Sequence, residues 1–107
     1  VVGLSIVEGF KELVEFYKAV LEIYEKRIVL QKNYPDIWKL KPEAVLRLGD
    51  LLGHERFAVF MRGLLMLEWI REKLTKFTEL TLEEQEEVVA KFKEAVSLME
   101  NALQEDT

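Results

Sequence analysis

The stretch of this chain best suited to hold a charged ligand is Gly53-His54-Glu55-Arg56-Phe57, where the only histidine and an arginine stand at the entrance to an apolar run. A helix beginning here would present free N–H groups and the positive end of its dipole, which favours a phosphate. Arg56 in the first turn opposes that dipole, a placement that a bound anion would make favourable. Arg62, further along, is a candidate from charge alone. Lys39, Lys41 and Arg47 extend the basic zone, and Tyr34 and Trp38 lie among them. Basic groups with accessible aromatics can hold phosphates and stack bases. Trp38 also reads as a core side chain, and the whole zone as a solvated face. The charge is unevenly spread: the chain carries a net −5, yet residues 26–76 hold 11 basic and 6 acidic side chains.

Other chemistries fail on inventory. With no cysteine, the chain builds no disulfide, thiolate metal site or iron–sulfur cluster. One histidine makes no histidine-based zinc site, so folding is expected to ignore chelators. The serines are Ser5, at an expected helix cap, and Ser97, late in the last helix; neither is placed for His54 to activate. The five glycines are scattered and form no phosphate loop. Carboxylates are plentiful but fall on outward helix faces. Arg47 and His54, with six residues between them, fit the Arg–His pair of the HEPN ribonucleases. Leu48 follows where that family has a polar residue, however, and Gly53 breaks the helix that would carry both.

The elements that must position these residues read as helices throughout, in a single domain of residues 1–107. Ser5 and Glu8 form a capping box, and Phe10, Leu13, Val14, Tyr17, Leu21, Tyr24 and Ile28 give a helix ending near Leu30. Asn33-Tyr34-Pro35-Asp36 is turn chemistry, with Ile37 and Trp38 expected to pin the loop to the core. Pro42 suits the first position of a short helix whose inner face is Ala44, Val45, Leu48, Leu51 and Leu52. Gly53 would end it in the left-handed conformation. A central helix from about His54 to Phe77 follows. Between Phe57 and Ile70 it is apolar on nearly every side, so it should be the most buried. Thr81 and Glu84 make a second capping box, and Val88, Val89, Phe92, Ala95, Val96, Met99 and Leu103 form the inner stripe of the last helix. Acidic groups in its first turn suit the dipole and need no ligand. The expected fold is all-α, about four helices around a buried central one. No stretch is long and apolar enough to span a membrane. The start at Val1-Val2-Gly3-Leu4 lacks a basic leader, so a cytoplasmic location is expected.

Gly53-His54-Glu55-Arg56-Phe57-Ala58-Val59 resembles the His-x-x-Arg-Phe-Ala-Leu segment in the C-terminal domain of the archaeal and eukaryotic DNA primase large subunit. Ile70, Glu72, Leu74 and Phe77 continue the likeness, and Glu84-Gln85-Glu86-Glu87-Val88 echoes the family's Tyr-Gln-x-x-His-Ile segment. His54 stands one residue closer to Arg56 than in the family. The four cysteines of the family's cluster are missing, with Glu43 where the first would stand. In this the chain is similar to the PriX-like accessory subunits of archaeal primase, and the likeness covers roughly residues 42–90. The resemblance implies a non-catalytic subunit that binds the initiating nucleoside triphosphate through His54 and Arg56, with Arg62 as a further contact. Lys39, Lys41, Arg47 and Trp38 would meet the single-stranded DNA template or RNA primer. No cofactor would be needed, since Mg²⁺ would be held by another subunit, and the partners would be the catalytic small and large primase subunits. The alternatives are a helical protein-interaction module without nucleotide binding and a HEPN-like ribonuclease.

Overall fold

The apolar periodicity that suggests helices produces them. The computed structural model describes residues 2–26 and 40–104, with side chains from Ile6 onward. Helix α1 spans Val2–Glu25. Its buried stripe is Phe10, Val14, Tyr17, Val20 and Leu21, one face at spacings of three and four. The helix already runs through Ser5, so the expected Ser5–Glu8 cap does not mark its start. Ile6 and Val7 pack against the core, and helix continues N-terminally of them; a capping preference near 1 kcal/mol is a weak signal against such packing. The expected end near Leu30, the turn at residues 33–36 and the anchoring by Ile37 and Trp38 lie outside the described residues.

Helix α2, Pro42–Leu52, opens with Pro at its first turn and Lys41 extended before it. Proline's fixed φ suits that place, and its missing N–H is one the helix would not use. Leu48 and Leu52 are buried, whereas Leu51, expected inside, is 46% exposed. Gly53 ends the helix with φ 83° and ψ 168°, and its N–H donates to Gly49 O at 3.1 Å. This is a positive-φ but extended conformation rather than the expected left-handed helical one, a region open essentially to glycine alone. It lets one residue both end α2 and begin α3, whose Phe57 N–H donates back to Gly53 O at 3.0 Å.

Helix α3, His54–Leu74, buries Phe60, Gly63, Leu67, Ile70 and Leu74. A 3-10 turn, Phe77–Glu79, separates it from helix α4, Leu82–Leu103, so the helix expected to reach Phe77 stops three residues short. Phe77 is buried and meets Tyr24 of α1 edge to face at 5.0 Å. The Gln85 amide donates to the carbonyls of Phe77 (2.9 Å) and Leu80 (3.3 Å), tying the turn to α4. The Thr81–Glu84 capping box is present in both directions.

All four helices form one core, with α4 packed on both α1 and α3. The expectation that α3 is the most buried helix is corrected. Seven residues of α4 are buried against five of α3, and Leu65 of α3 is 61% exposed. An all-round apolar sequence marks α3, but only the side facing α4 and α1 is fully covered. The α3–α4 contact is the most extensive in the molecule. It closes tightly at Gly63, where an added Cβ would stand 2.7 Å from Met99 Cγ and 2.8 Å from Ala95 O. No helix among the described residues is long and apolar enough to cross a membrane.

Candidate functional site

His54 is the first residue of α3 and is exposed. Arg56, one half-turn on, points elsewhere. Its Nε donates to Ala102 O at 3.0 Å and its Nη2 to Gln104 O at 2.6 Å, at the C-terminal end of α4. The last turn of α4 has no basic residue of its own, so Arg56 supplies the cation that a helix C-terminus favours. The premise that its charge gains nothing from a dipole is therefore corrected. Arg56 stands at the positive end of one helix and serves the negative end of another.

Arg62, Arg47 and Lys41 are exposed, Arg47 within α2 and Lys41 at its N-cap. At 100° per residue, His54 and Arg56 point about 200° apart around α3, and Arg62 lies roughly 12 Å along the axis from His54. Trp38 and Lys39 lie outside the described residues. Arg47 and His54 stand on separate helices, α2 and α3, divided by Gly53, so the one-helix pair of the HEPN pattern is not formed. Among the described residues no three His, Cys, Asp or Glu side chains gather to hold a metal.

One concavity among the described residues is apolar, and His54 is not among the residues that line it. A groove of about 500 Å³ runs between α1, α2 and α3, lined by Tyr17, Val45, Leu46, Phe57, Met61 and Leu64, with Glu68 and Arg71 at one end. Leu46 in its wall is 68% accessible. The buried Tyr17 phenol has its pKa pushed up to about 12 by desolvation, so it stays neutral at ordinary pH. The sequence reading missed a second feature. Trp69, half-buried, carries Lys73 at 5.5 Å and Lys91 at 4.8 Å from its ring. The i, i+4 spacing of Trp69 and Lys73 could have flagged the first contact; Lys91, on another helix, gave no local signal.

Family models, curated proteins and solved structures were all compared with the chain, and none matches.

Proposed function

We propose that this chain is a non-catalytic helical module that acts by binding another protein chain. The observation that carries the reading is apolar surface left open on α2 and α3: Leu46, 68% exposed, lines a groove walled by leucine, methionine and phenylalanine, and Leu65 of α3 is 61% exposed. An open apolar groove with an exposed leucine in its wall is the kind of surface at which a partner chain binds. The engaged guanidinium of Arg56 supports placing this reading ahead of nucleotide binding.

A second reading, an accessory primase subunit, is favoured by the likeness over residues 42–90 and by the exposure of Lys41, Arg47, His54 and Arg62. In it, His54 and Arg62 meet the triphosphate of the initiating nucleotide and the Mg²⁺ chemistry belongs to another chain. Titration of the chain with a nucleoside triphosphate, alone and with single-stranded DNA, separates the two. The interaction-module reading expects no saturable binding. Saturable binding weakened roughly tenfold by His54→Ala or Arg62→Ala would install the primase reading instead.

A further inference from the structure

We propose that the exposed face of α3 is a self-complementary surface on which a second copy of this chain docks antiparallel, with the two-fold axis passing Leu65. This rests on the interaction-module reading and names the partner. Leu65, at 61% exposure, is the most open large apolar side chain of α3. Around it the outward residues are placed symmetrically by number. Arg62 stands three positions before and Glu68 three after, both exposed. Met61 stands four before and Trp69 four after, both half-buried. Positions three and four apart share one helix face.

An antiparallel helix related by a two-fold axis at Leu65 therefore sets each Arg62 against the other copy's Glu68, and each Met61 against the other copy's Trp69. A closed two-fold interface requires this: the same patch must complement itself. The charges match twice over, and a parallel arrangement in the same register would instead set like charges against like. Neither Arg62 nor Glu68 has an ion-pair partner among the described residues, whereas Lys18, Lys26, Lys91 and Lys93 do.

The test is sedimentation velocity on the full chain, from low micromolar to near-millimolar. The expected result is a species of twice 12.6 kDa that grows with concentration. Leu65→Glu should weaken self-association at least roughly thirty-fold, as for the centre of an interface, with its helical circular dichroism unchanged and its melting unchanged at concentrations where the wild type is monomeric, because the side chain is exposed in the single chain. Arg62→Glu and Glu68→Arg should each weaken it roughly three- to tenfold, and the double exchange should restore it. A chain monomeric at every concentration, or a dimer indifferent to Leu65→Glu, overturns the proposal. A fluorescent apolar dye then separates the two levels. A monomer that binds the dye, and loses it in Leu65→Glu, keeps the interaction module but not the second copy. A monomer that binds no dye ends both, because its own residues cover the surface.

Discussion

Arg56 shows how far a single side chain can depart from what its neighbours in sequence suggest. Its two hydrogen bonds reach residues 46 and 48 positions away. Spacing along the chain reports only a residue's own helix, so no local pattern could reveal that the carbonyls of α4 were the partner. These bonds give Arg56 a part in holding the fold. Arg56→Ala should destabilise the fold by about 1–2 kcal/mol, the loss of charge-assisted bonds in a half-exposed setting. In a domain of this size that lowers the melting temperature by about 5–10 °C, read by circular dichroism. Arg56→Lys should fall between, since an ammonium keeps the charge but not the fork. Tyr17 makes a separate prediction in pH. Burial raises its pKa from 10.0 to about 12, so its contribution is fully present below pH 10 and is lost as pH rises from about 10 to 12. The loss amounts to at most about 2–3 kcal/mol. Denaturant melts of the wild type and Tyr17→Phe over that range should differ, with the phenylalanine variant lacking this component of the decline.

Among elements, those with a strong local signature were legible. Proline at the start of α2, glycine at its end and the Thr81–Glu84 box at the start of α4 stand where their chemistry puts them. Each acts through hydrogen bonds or dihedrals within four residues. The Ser5–Glu8 pattern is as good on paper and marks nothing, because α1 runs through it. Depth of burial was less legible still: the apolar run of α3 does not say which of its sides meets another helix. That side is chosen by Gly63, where α3 and α4 come within reach of each other's backbone. Gly63→Ala should therefore destabilise despite the better helix propensity of alanine. The new methyl meets the Ala95 carbonyl, which cannot swing aside as the Met99 side chain can. Overpacking of this kind costs about 1–3 kcal/mol, against a gain of at most about 1 kcal/mol from propensity. Equilibrium unfolding in urea would register the balance, and an unchanged or raised midpoint would contradict the close approach.

At the scale of the molecule, the all-α class follows from periodicities of three and four that the helices then realise, whereas of the basic zone only the hydrogen-bond partners of Arg56 were beyond any reading of the sequence. Lys41 and Arg47 belong to α2, His54 and Arg62 to α3, and Arg56 reaches the end of α4. What gathers is apolar: side chains of three helices, each unremarkable within its own segment, line one groove. The position of α4 has a further consequence, for the order in which the chain becomes a protein. It is the last described helix in sequence, yet it covers both α1 and α3 and receives the Arg56 clasp. During synthesis, Phe60, Leu67 and Ile70 are made well before the helix that shelters them. A nascent chain halted ahead of Leu82 would hold helical sequences without their common cover, the kind of species that chaperones recognise. Closure of this core thus requires α4, whose last turn Arg56 ties to the start of α3.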